Sequence, residues 1–160
     1  MRNFIDIESP KKIILNETFT TTIAIHADPG KVWTTLTDFE LMSQWMGEPE
    51  TNVQVSTDWE IGSPIYIRGF HHISFENKGL VLAYDTEKRL SYTHLSSLSR
   101  LADRLENYST IEFILAPVDR VTRLTLNITN FPTDTIRKHL EFYWNTTISI
   151  IKENAEGKGL

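Results

Sequence analysis

Cysteine is absent from the 160-residue sequence. Disulfides, thiolate metal ligands and a cysteine nucleophile are thereby excluded. Basic residues are outnumbered, 16 Lys and Arg against 21 Asp and Glu, and the two signs are interspersed. That argues against a nucleic-acid footprint, which needs clustered cations. No stretch approaches the roughly 18 apolar residues of a membrane span. The opening residues, Met1 to Glu8, carry acids where a secretion signal needs an apolar run, so a cytoplasmic location is expected. There is no Gly-x-Ser-x-Gly elbow, no His-Glu-x-x-His, no glycine-rich phosphate loop and no dinucleotide fingerprint. No cofactor is expected. There is no internal repeat and no low-complexity segment, and the length favours one domain.

What is present is a clear order of elements. Residues 1–17 carry mixed signals, read as an arm or an extra edge strand. Residues 18–26 form a β-branched strand with Phe19, Thr21, Ile23 and Ile25 on one face. Asp28-Pro29 is an N-cap followed by a first helical residue: Asp accepts orphan backbone N–H groups, and Pro has none to lose. A short helix over 29–37 presents Val32, Trp33 and Leu36. Asp38 caps a second over 39–46, with Leu41, Met42 and Trp45 as its stripe. Strands are predicted at 52–56, 63–69, 78–84, 89–95, 109–116 and 121–130, joined mostly by short connections that imply antiparallel neighbours. The longest connection, 96–107, carries Leu98, Leu101 and Leu105 at helical spacing and reads as a lid. One helix over 133–155 closes the chain, with Ile136, Leu140, Tyr143, Trp144, Thr147 and Ile151 at spacings of three and four. Residues 157–160 are a tail.

This order implies an α+β domain over 18–156, a curved antiparallel sheet packed on a long terminal helix. A straight helix cannot touch a curved sheet everywhere, so an apolar pocket is expected between them.

The run Ala27-Asp28-Pro29-Gly30-Lys31-Val32-Trp33-Thr34-Thr35-Leu36-Thr37-Asp38 resembles the opening of START-like (SRPBCC) proteins. Gln44-Trp45-Met46-Gly47, the pair Gly79 to Asp85 and Arg89 to Thr93, and Glu106 to Thr110 are similar to the family named after the activator of heat-shock protein 90 ATPase. The resemblance implies the helix-grip fold, shared with birch-pollen allergens, and a hydrophobic ligand cavity. It does not imply one activity, because such folds host many functions. It leaves room for a homodimer and, more weakly, a chaperone partner. The chain is short for the separate chaperone-binding domain of the true co-chaperones, so the family name is not read as the function.

The candidate ligand-binding set is Trp33, Trp45, Tyr66, Tyr92, His94, Phe113, Leu126, Leu140, Tyr143 and Trp144. The plain reading of the aromatics is core packing. The functional reading is that a subset lines the pocket, ring against ligand and O–H or N–H as the orienting group. His94 alternates with Leu90 and Tyr92 and is expected to point into the pocket. His71 and His72 read as a loop without a third spaced ligand, so no metal is expected. Two functions are carried forward. One is a non-catalytic module holding an apolar or amphipathic small molecule. The other is a polyketide cyclase or aromatase-like enzyme in which His94, Tyr92 and Tyr66 would be the polar groups.

Overall fold

Two aspartates set the first breaks in the chain. Asp28 accepts a hydrogen bond from the Lys31 N–H at 2.8 Å and opens helix α1 (Pro29–Thr37). Asp38 does two things at once. Its own N–H donates to the Thr34 carbonyl and closes α1, while its carboxylate accepts from the Leu41 N–H and opens α2 (Phe39–Met46). These are the helices and caps expected from the sequence. The computed structural model describes residues 17–158. The expected N-terminal arm falls, apart from Glu17, outside the described residues.

Strand β1 (Thr18–Ile25) precedes the helices. After them come β2 (Gln54–Ser56), β3 (Pro64–His71), β4 (Ile73–Asp85), β5 (Arg89–Ser96), β6 (Ser109–Val118) and β7 (Val121–Thr129). All seven form one antiparallel sheet in the order β1-β7-β6-β5-β4-β3-β2. The two helices therefore carry the chain from one edge of the curved sheet to the other. The remaining strands return by a meander that ends beside β1.

The last element is α3 (Asp134–Ala155), capped by the Thr133 hydroxyl. Its buried stripe is Leu140, Trp144, Thr147, Ile148, Ile151 and Ala155. The C-terminal end is pinned by Glu156, whose enclosed carboxylate accepts from the His26 N–H and from Lys152, both at 2.7 Å. Lys152 also donates to the Ala24 carbonyl. These hydrogen bonds, with the Lys152 contact foremost, hold the Glu156 carboxyl down to about 2. Midway along the helix the Tyr143 hydroxyl donates to the Met46 carbonyl at 2.7 Å, tying α3 to the end of α2. The helix thus packs chiefly on β1, α1 and α2. The result is an α+β helix-grip arrangement. Among the described residues no helix is long and apolar enough to cross a membrane.

Two expectations change. Strand β4 starts at Ile73, five residues earlier than the alternation suggested, because β3 turns into it through His72 alone, at φ 65°. Pairing with β3 stabilises a segment, Ile73 to Asn77, whose own pattern is weak. The helical character expected of the 96–107 connection is confined to short pieces. The connection holds two single 3-10 turns, Ser97–Ser99 and Leu105–Asn107, and Leu105 is 85% exposed. Serine side chains at 96 and 99 bond the local backbone, and Arg100 sits at φ 62°, which ends any helix. Lys78 and Tyr108 both hold Asp103, so the segment is fastened onto β4.

Candidate functional site

Where α3 stands off the sheet, a cavity of about 420 Å³ opens between α3, the end of α2 and strands β3 to β5. That volume lies in the range of small-molecule sites, roughly 300–1,000 Å³. Its walls are mainly apolar: Val53, Ile67, Phe75, Ile111, Leu140 and Trp144. Strand β5 crosses it with three alternate side chains, Tyr92, His94 and Ser96, which share a face because strand side chains alternate with a period of two. Asn77, the register partner of Ser96 on β4, also lines it. The Asn77 side-chain oxygen is buried without a hydrogen-bond partner. His71, His139 and Glu48 line the cavity as exposed residues at its rim.

The structure brings five of the ten candidate residues to this cavity: Tyr92, His94, Leu140, Tyr143 and Trp144. The other five lie outside its wall. Trp45 is behind Trp144, ring centroids 6.0 Å apart, with its indole N–H donated to the Thr35 carbonyl at 2.8 Å. Phe113 meets the Trp144 ring edge-on at 5.7 Å. Leu126 is fully enclosed in the core, and Trp33 packs edge-on against Tyr84. Tyr66 sits between the inward Ile65 and Ile67, hence on the other face of β3, with the Arg68 guanidinium over its ring at 4.6 Å.

Sequence reasoning did not single out Ile67, Phe75, Asn77, Ser96, Ile111 or His139. Four of these carried a usable signal, two of them because Ile67 alternates inward with Ile65 and Ile111 with Phe113 and Leu115. Ser96 continues the alternation of Tyr92 and His94, and His139 lies one helical turn before Tyr143. Phe75 and Asn77 carried none, because their strand was not recognised that far.

The polar groups inside are uncharged near neutrality. Burial, reinforced by His139 nearby, holds the His94 imidazole down to about 4. Burial pushes the Tyr143 phenol up to about 12 and raises Tyr92 further, with Tyr143 adding to the latter. Tyr143 already donates to Met46, whereas among the described residues neither Tyr92 nor His94 makes a side-chain hydrogen bond, and of the polar atoms lining the cavity the Asn77 oxygen is the one buried without a partner. Among the described residues no three His, Asp or Glu side chains gather as a metal site.

The His94 shift has a consequence for stability. A histidine with an ordinary value near 6.5 takes up a proton in the unfolded chain that the folded chain refuses until about 4. Stability therefore falls as pH drops through this window and the loss levels off below it. Between about pH 7 and pH 5 the expected loss from this one group is about 2 kcal/mol. Urea unfolding of the wild type and His94→Asn at both pH values checks it. The variant should show a correspondingly shallower pH dependence; equal slopes would mean that His94 titrates normally in the fold.

A family model described as activator of Hsp90 ATPase homolog 1-like protein matches residues 26–156. No curated protein matches the sequence. Among solved structures, a protein of Cytophaga hutchinsonii is 28% identical with a TM-score of 0.74, covering 90% of this chain and 97% of that one. The Aha1 dimer of Colwellia psychrerythraea is 20% identical with a TM-score of 0.70, covering 89% and 98%. CalU16 of Micromonospora echinospora is 15% identical with a TM-score of 0.68, covering 88% and 75%. The last two likenesses concern the fold alone.

Proposed function

As the chain belongs to the family of activator of Hsp90 ATPase homolog 1-like proteins, we propose that it is a module that holds an apolar or amphipathic small molecule in the cavity under α3. The observation that carries this reading is the cavity itself, about 420 Å³ with largely apolar walls. Enclosing apolar ligand surface there releases about 25 cal/mol for each Å² removed from water. Titration with N-phenyl-1-naphthylamine, an uncharged fluorescent probe, tests it. One saturable site is expected, with micromolar affinity or better. A linear, non-saturating signal, or a probe response that persists when the cavity is filled by Ile111→Trp in a folded protein, would sink the proposal. Self-association is a further part of this reading, suggested by the dimeric Colwellia psychrerythraea neighbour, and sedimentation of the free protein decides it.

A catalytic reading has one observation in its favour: Tyr92 and His94 stand side by side on β5 inside the cavity. A tyrosine hydroxyl can polarise a carbonyl there, but the histidine is a poor base. General-base catalysis works best with a value near the working pH, and burial holds His94 down to about 4. Binding without turnover is therefore the stronger reading.

A further inference from the structure

We propose that the cavity selects an uncharged ligand carrying a hydroxyl head, and rejects carboxylate-headed and ammonium-headed molecules of the same shape. This rests on the binding reading above and specifies its ligand class. The first observation is a census of charge. No lysine or arginine lines the cavity and two of its histidines, His71 and His139, stand at the exposed rim, so a carboxylate or phosphate head carried to the interior would have no fixed cation to replace its water. The one carboxylate on the wall, Glu48, is exposed at the rim, so an ammonium head carried to the interior would be equally unpaired. Burying an unpaired charge costs far more than burying a hydroxyl that finds partners.

The second observation is the set of polar groups left free in the cavity, which are Tyr92, His94 and the buried Asn77 side-chain oxygen. Tyr92 and His94 face the cavity two residues apart on one strand, and among the described residues neither side chain makes a hydrogen bond. Tyr143 and Ser96, by contrast, are engaged, the first with the Met46 carbonyl and the second with the Leu98 N–H. A neutral imidazole offers one donor and one acceptor nitrogen, and a phenol offers both roles on one oxygen. A ligand hydroxyl, itself donor and acceptor, can satisfy both at once. The apolar body then lies against Ile67, Phe75, Leu140 and Trp144.

The test compares four molecules on one ring system: naphthalene, 2-naphthol, 2-naphthoate and 2-naphthylmethylammonium, titrated near pH 7.5 into wild type and Tyr92→Phe. 2-Naphthol is expected to bind at least about tenfold more tightly than either charged analogue. Tyr92→Phe keeps the ring and should bring 2-naphthol close to naphthalene. A charged analogue that binds as tightly as 2-naphthol, or a Tyr92→Phe protein that holds 2-naphthol unchanged, overturns the inference. If naphthalene binds and no head group alters affinity, the inference falls while the binding function stands. If neither naphthalene nor 2-naphthol binds, the binding function itself is lost, and this inference with it.

Discussion

Gly79→Ala is expected to cost about 3 kcal/mol or more and to leave little folded protein under mild denaturant. Gly79 lies in β4 where β5 comes unusually close. A Cβ at this position would sit 1.7 Å from the Thr93 carbonyl oxygen and 2.4 Å from its carbonyl carbon. Both are backbone atoms, so no rotamer change relieves the clash; β4 and β5 would have to separate. Separation would also break the bond from the Leu80 N–H to the Thr93 hydroxyl, and it would move His94, the next residue, out of the cavity wall. Gly69→Ala is the graded control. Its added Cβ meets the far end of the Phe75 ring at 2.7 Å, a side chain and not backbone, and the Thr51 carbonyl oxygen only at 3.1 Å. Urea unfolding of both variants should rank Gly79→Ala well below Gly69→Ala. Equal and small losses would show that β4 and β5 tolerate a wider spacing than the structure has.

Trp144→Ala should cost about 3 kcal/mol and weaken probe binding by about tenfold or more. Trp144 is 4% exposed and touches three aromatic rings, Trp45, Phe113 and Tyr143, on its buried sides. Its remaining side borders the cavity. A tryptophan packed on all sides loses about 3–5 kcal/mol on truncation, whereas one beside existing space has fewer contacts to lose and falls at or below the low end. Trp144→Phe keeps a ring against Trp45 and Phe113 and should recover most of the stability with only part of the affinity. Unfolding curves and N-phenyl-1-naphthylamine titrations on the same samples separate the two effects. Affinity unchanged in a destabilised Trp144→Ala protein would assign the residue to the core alone.

The elements of this fold were legible because their signals are local. Asp28, Asp38 and Thr133 cap helices through bonds to N–H groups three residues on, and such spacing is visible in any chain. The alternation of Ile111, Phe113 and Leu115, and of Leu124, Leu126 and Ile128, states which face is buried without reference to a partner. Even the position of Tyr66 was encoded, since flanking Ile65 and Ile67 claim the inner face of β3.

The division of the aromatics into core and cavity was not encoded locally. Trp45, Phe113 and Trp144 are alike as buried rings, yet only Trp144 borders open space. That depends on the line along which α3 leaves the sheet, set by the Tyr143 bond to Met46 and by the Glu156 contacts with His26 and Lys152, the farthest of them between residues 130 apart. The sequence by itself determined the order of elements, their caps and their inward faces, because neighbouring residues and fixed periods decide those. The tertiary structure alone decided where the cavity opens and that Asn77 and Ser96 stand side by side on its sheet wall, because long-range geometry, not composition, sets the gap between a straight helix and a curved sheet.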